Sequence, residues 1–113
     1  MDLQENLPLT ESTFYILLSL APGPKHGYAI MKDIKTLSEG RVSLSTGTLY
    51  GAIKRLLDQA WILRVDEPSE NGNGRDRKAY LLTQRGRRIL EAETVRLGKL
   101  YQAAQLRVIG EEV

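Results

Sequence analysis

Thr48, Tyr50 and Lys54 are the fourth, sixth and tenth residues of the segment STGTLYGAIKRLLDQA (45–60), and their types and spacing suit the recognition of a polyanion. At 100° per residue, Leu49, Ala52, Ile53, Leu56 and Leu57 line one apolar stripe of a helix. The opposite face holds Gly47, Thr48, Gly51, Lys54, Arg55 and Asp58. Small, hydroxyl and cationic groups dominate it, and no acid precedes Asp58. Hydroxyls and the Tyr50 phenol can bond phosphate or base edges, and Lys54 can neutralise phosphate or reach guanine. Each assignment has a plainer alternative. Tyr50 can be a core or rim aromatic, Arg55 can pair with Asp58, and Ser43, Ser45 and Thr46 can serve only as caps. A helix N-terminus with free N–H groups also suits a phosphate, so capping and contact are compatible.

Other chemistries lack their parts. The chain has no cysteine, and His26 is its only histidine. Thiol nucleophiles, disulfides, Cys-based zinc sites and a Ser-His-Asp triad are poorly supported on that basis. No paired carboxylate or nucleophile–base set is visible, so no enzyme, metal or cofactor is expected. Lys25, His26 and Tyr28, at the head of another helix, are candidates for phosphate contact, with simple packing the alternative for Tyr28. Arg75, Arg77 and Lys78 can reach phosphates or the minor groove. Strand alternation turns Arg77 and Lys78 to opposite faces, so one of them faces solvent. Arg85, Arg87 and Arg88 add local positive charge and do not read bases.

The elements that must position these groups follow from periodicity and caps. A largely buried first helix begins at an N-cap on Thr10 or Ser12 and ends at Pro22-Gly23-Pro24. A second runs from about His26 to Ser38, with Ile30, Ile34 and Leu37 on one face and Gly40 as its C-terminal cap. Ser45 or Thr46 caps the third. WILRV (61–65) and RKAYLLT (77–83) read as strands, joined by DEPSENGNGRD with turn signals at Asn71-Gly72 and Asn73-Gly74. That loop is too long for a tight hairpin and is expected to project as a mobile tongue. Thr83 caps a final helix through about Ile109. Leu90, Leu97 and Ala104 recur on it every seven residues, with Leu100, Tyr101 and Val108 beside them. Three short helices cannot cover a stripe of that length, so a second copy of the chain is expected to. Trp61 and Tyr101 are candidates for lining an effector pocket between the subunits, although aromatics on apolar stripes are normally core.

This order of elements is a winged helix-turn-helix. The expected fold is mainly α with a two-stranded β-wing and a long C-terminal dimerisation helix. The division expected is 1–83 for DNA binding and 84–113 for dimerisation. The charge map agrees with it. The net charge of 113 residues is only +2. Residues 41–65 carry +3 and 75–90 carry +5, whereas 1–40, 66–74 and 91–113 carry −2, −3 and −1. The basic blocks coincide with the third helix and the return of the wing, although charge runs are often only solvated faces. No apolar run approaches the roughly 20 residues of a membrane span, and MDLQENLPLT is not a secretory signal. A cytoplasmic location is expected.

The stretches LTESTFYILLSLAPGPKHGYAIMKDI, STGTLYGAIKRLLDQAWI and GRDRKAYLLTQRGRRIL (about Leu9 to Leu90) resemble the PadR-type transcriptional regulators. The short C-terminal part is similar to the subgroup in which one long helix mediates dimerisation. The resemblance implies a repressor released by a small molecule or another cellular cue. Two positions depart from the pattern: Gly51 stands where Pro is frequent, and Ala60 where Gly is frequent. Gly51 loosens the helix start or lets the backbone approach DNA, and Ala60 carries a small cost if its φ is positive. The expected function is a homodimer on a pseudo-palindromic double-stranded DNA operator. Its half-sites would lie one helical turn apart, or a multiple of it. The rival is a winged-helix protein-interaction module without DNA binding, against which the acid-poor face of the third helix argues.

Overall fold

In the computed structural model, which describes residues 3–67 and 77–109, Thr10 opens the first helix by accepting the Thr13 N–H at 3.1 Å. This helix, α1 (Glu11–Leu20), buries Ile16, Leu17 and Leu20 completely. The chain then turns through Pro22 and Pro24 into a two-residue strand, β1 (Lys25–His26), and α2 (Gly27–Leu37). Helix α3 (Thr46–Asp58) follows, with Ser45 as N-cap. Strands β2 (Ile62–Glu67) and β3 (Arg77–Leu82) pair antiparallel, with Ile62 opposite Leu82 and Glu67 opposite Arg77.

The wing is therefore a three-stranded sheet in the order β1-β3-β2, because Lys25 and His26 pair with Tyr80 and Ala79. Two residues carry no period, so this strand leaves no mark in the sequence. The tongue expected between the strands falls, from Pro68 to Asp76, outside the described residues.

Both α2 and α3 end in the same device. After α2, the Glu39 N–H reaches the Thr36 carbonyl and the Gly40 N–H the Lys35 carbonyl. After α3, the Ala60 N–H reaches Leu57 and the Trp61 N–H reaches Leu56. These are Schellman closures, which require a left-handed residue just past the C-cap. Glu39 (φ 55°) and Ala60 (φ 63°) hold those places, and Gly40 follows at φ 82°. Gly40, the cap expected from the sequence, therefore shares the left-handed turn with Glu39.

Thr83 caps α4 (Gln84–Ala104) by accepting the Gly86 N–H, and it also donates to the Ala60 carbonyl at 2.7 Å. A π-helical turn, Gln105–Ile109, continues it. The α4 stripe Gly86, Ile89, Leu90, Glu93 is buried; its continuation Leu97, Leu100, Ala104 is exposed. The same face is thus core in its first half and overhang in its second. The radius of gyration is 16.6 Å and the extents are 61 × 34 × 23 Å, against roughly 13 Å for a compact chain of this length.

Candidate nucleic-acid interface

The exposed face of α3 is built from its cap. Ser45 Oγ accepts the Thr48 N–H at 3.2 Å and donates its proton to Thr48 Oγ1 at 2.9 Å. That leaves the Thr48 hydroxyl proton for an outside acceptor. The N–H groups of Thr46 and Gly47 lie in the first turn, where no intrahelical acceptor exists. Ser43, Ser45, Thr46, Gly47, Thr48, Gly51, Lys54 and Arg55 are all exposed. A Cβ at Gly47 or Gly51 would meet nothing within 4 Å, so both glycines bare the backbone of this face. Arg55 leans toward Thr13 on α1, at 3.4 Å. In the turn before α3, Arg41 grips Glu11 of α1 with two bonds of 3.0 and 2.9 Å. The Arg41 guanidinium holds the Glu11 carboxyl below its usual pKa.

Tyr50 is a rim aromatic, 42% exposed, whose phenol lies across the Cα of Gly27. A Cβ there would come within 2.8 Å of Tyr50 Cζ. Gly27 is the first residue of α2, so the phenol fits only because that position has no side chain. This contact joins His26-Gly27-Tyr28 at the head of α2 to Gly47-Thr48-Leu49-Tyr50 at the head of α3, and Gly27 acts here through its missing side chain. Tyr80 is buried, and burial raises its pKa.

The group before α2 divides three ways. Lys25 turns inward: its ammonium donates to the Ser19 carbonyl at 2.8 Å and lies 3.8 Å from Asp33. The half-buried charge thus closes the end of α1 and pairs with α2, where the sequence suggested a phosphate contact. His26 Nδ1 lies 3.2 Å from the Lys78 carbonyl. A carbonyl only accepts, so Nδ1 carries a proton and the imidazole ties α2 to the wing. Tyr28 is 70% exposed, which removes packing as its role, and the Lys32 ammonium lies 5.6 Å from its ring centre.

On the wing, Lys78 is exposed and stands opposite Asp66, and Asp66 pairs with Arg64 at 3.2 Å. Arg75 and the side chain of Arg77 lie outside the described residues. Arg87 donates to the Ala21 carbonyl at 2.9 Å, just past α1. Among the described residues no group of His, Asp or Glu could hold a metal ion, and no helix is long and apolar enough to cross a membrane.

The C-terminal stripe divides at Glu93. Leu90, 6% exposed, belongs to the protomer's own core, which corrects its place in the expected seam. Leu97, Leu100, Tyr101, Ala104 and Val108 are exposed, as are Val95 and Leu106. Leu106 was missed because it falls in the π-helical turn, where the 3.6-residue period shifts. Trp61 is buried against α4, where a Cβ on Gly86 would strike its carbonyl group. Tyr101 lies fifteen residues further along α4 than Gly86, about 22 Å at 1.5 Å per residue. Within one protomer the two aromatics are thus far apart, and Trp61 belongs to the core.

Residues 16–92 match the family described as "Transcriptional regulator PadR-like family". An uncharacterized 37.1 kDa protein in transposon TN4556 of Streptomyces fradiae is 37% identical over 90 residues, 80% of this chain. Those residues span only 24% of that protein's length. Among solved structures, a PadR family regulator from Clostridium difficile has the same fold, with TM-score 0.71 and 24% identity. That match covers 83% of this chain and 94% of the other. Bacillus subtilis PadR, solved in complex with operator DNA, is similar with TM-score 0.66 and 26% identity, over 75% of this chain and 47% of that one. The winged helix, the α3 face and a family match over residues 16–92 converge: the chain belongs to the PadR-like family of transcriptional regulators.

Proposed function

We propose that this regulator binds double-stranded DNA sequence-specifically as a homodimer and acts as a repressor on a pseudo-palindromic operator. The observation that carries this reading is the exposed face of α3, with Gly47, Thr48, Gly51, Lys54 and Arg55 and no acid before Asp58. In the major groove, Thr48 donates its remaining proton, Lys54 meets phosphate or guanine, and Tyr50 contacts the groove wall. Ser43, Ser45 and Thr46 take a phosphate at the helix start, and Lys78 of the wing takes another beside the groove. Support comes from a similar protein, Bacillus subtilis PadR, whose structure holds operator DNA.

The dimer part of the proposal rests on the exposed half of α4, where Leu97, Leu100, Tyr101 and Ala104 continue a core stripe beyond the head. Release by a small-molecule effector belongs to the same reading, with Tyr101 on the exposed seam. It is tested by DNA-binding titrations in the presence of candidate ligands.

The test of DNA recognition begins with selection of bound sequences from a random pool, followed by salt titrations of Lys54→Ala and Thr48→Ala on the selected site. Loss of one phosphate contact flattens the slope of log K against log salt by about 0.9. Unchanged affinity and slope in both variants would sink the assignment of α3.

A further inference from the structure

Glu93 is the one charged residue in the buried stripe of α4, 2% exposed. It accepts the Leu9 N–H at 3.0 Å and two Arg96 bonds, from Nε at 2.6 Å and Nη2 at 2.9 Å. Apolar packing between α4 and the head ends here. On one side lie Ile89 and Leu90 in the core; on the other, Leu97 and every described residue beyond it is on the surface or half-buried. Beside Glu93 opens a groove of about 400 Å³ between α1 and α4, lined by Leu9, Phe14, Tyr15, Arg96 and Leu97. At this level the Leu9 N–H bond to Glu93 is what ties α4 to the segment before α1, beside that open groove.

Burying a carboxylate is costly, and a leucine of similar reach often does as well for stability. The Leu9 N–H bond ties this carboxylate to the segment that leads into α1, and the two Arg96 bonds, both within α4, hold the carboxylate in place for it; a leucine lacks that directional tie. We propose that Glu93 is a positioning residue that fixes the angle between the DNA-reading head and α4, and so sets the separation of the two heads in the dimer. The inference rests on the reading of the protein as a DNA-binding dimer joined through α4. From Glu93 to Ile109, α4 and its π-helical turn form an arm sixteen residue steps long, about 24 Å at 1.5 Å per residue. A swing of about 10° at its root moves the far end by about 4 Å, more than the roughly 3.4 Å that separates neighbouring base pairs. Looseness at Glu93 therefore becomes tolerance in half-site spacing.

The test compares wild type, Glu93→Gln and Glu93→Leu. The leucine variant keeps the apolar packing and leaves Arg96, already partly exposed, to water, which preserves the fold for measurement. Since the chain has no cysteine, K35C on the exposed surface of α2 gives one spin label per head in each background. Electron–electron distance measurement should show a narrow head-to-head distribution in wild type and one at least about twofold broader in Glu93→Leu, as for an equilibrium spread over several arm angles, with Glu93→Gln, whose amide oxygen still accepts the Leu9 N–H, in between. In parallel, selection from a random pool should return the same half-site for all three proteins, with a single spacing for wild type and mixed spacings for the variants. Equal widths and equal spacings in all three overturn the proposal. Absence of any head-to-head distance in wild type, or of any selected half-site, overturns instead the dimer or DNA reading on which it rests.

Discussion

The Tyr50 phenol lies directly over the Cα of Gly27, so that the rim aromatic of α3 is seated by the first residue of α2. The two residues are 23 positions apart, and the fit holds because one of them lacks a side chain. Gly27→Ala is expected to lift Tyr50 from its seat and lower stability by about 1–3 kcal/mol, the usual cost of overpacking. Urea unfolding measures this. In a double-mutant cycle, Tyr50→Ser should recover much of the loss, with a coupling energy of about 0.5–3 kcal/mol.

Glycines elsewhere carry opposite signs. A Cβ at Gly51 meets nothing, whereas at Gly86 it meets the Trp61 carbonyl group and comes within 2.9 Å of Leu82 Cδ1. Gly51→Ala should therefore stabilise the chain by about 1 kcal/mol, the helix-propensity difference. Gly86→Ala should destabilise it despite the same propensity gain, because backbone cannot move aside as a flexible side chain can. Thermal unfolding of the two variants should shift in opposite directions. If Gly51 lets the α3 backbone approach DNA, its alanine variant should also bind the selected site more weakly while being more stable.

Ala60 and Glu39 occupy left-handed conformations at φ 63° and 55°, where a Cβ costs roughly 1–2 kcal/mol. Ala60→Gly should raise stability by about 1 kcal/mol after the entropy of glycine in the unfolded chain is counted. Glu39→Gly should act in the same direction. Chemical denaturation of both single variants and the pair checks this, and the two gains should add because the sites share no partner.

Acid should loosen α4 from the head. The Arg96 bonds, followed by the Leu9 N–H, hold the Glu93 carboxyl below its usual pKa despite burial. A group depressed in the folded state contributes stability above its unfolded value and loses it as pH falls through the folded value. The contribution is thus complete at neutral pH and declines only below the ordinary carboxylate range. Glu11, lowered by Arg41, acts with the same sign at the turn before α3. Glu93→Gln should remove part of the acid dependence of unfolding between neutral pH and pH 3, and an unchanged acid limb would count against the role of this carboxylate.

Helices, caps and the main wing strands were legible in the sequence because each is a local pattern. Thr10, Ser45 and Thr83 precede their helices as hydroxyl caps, and Leu49, Ala52, Ile53 and Leu56 repeat at the helical period. The α3 face was legible for the same reason: the buried stripe defines its opposite. The discomfort of Ala60 was visible as a departure from a family pattern and is realised as a positive φ.

Long-range pairing decided the rest. Nothing beside Lys25 in the chain indicates that its ammonium turns to Ser19 and Asp33, or that two residues there add a strand to β3. Leu90 and Leu97 occupy one stripe and look equivalent in sequence, yet the first is core and the second overhang. Period assigns a residue to a face; only the place where the head ends determines whether that face meets protein or water. For Glu93 the sequence shows an acid among apolar neighbours, and it takes the folded chain to bring the Leu9 N–H, 84 residues away, to its carboxylate.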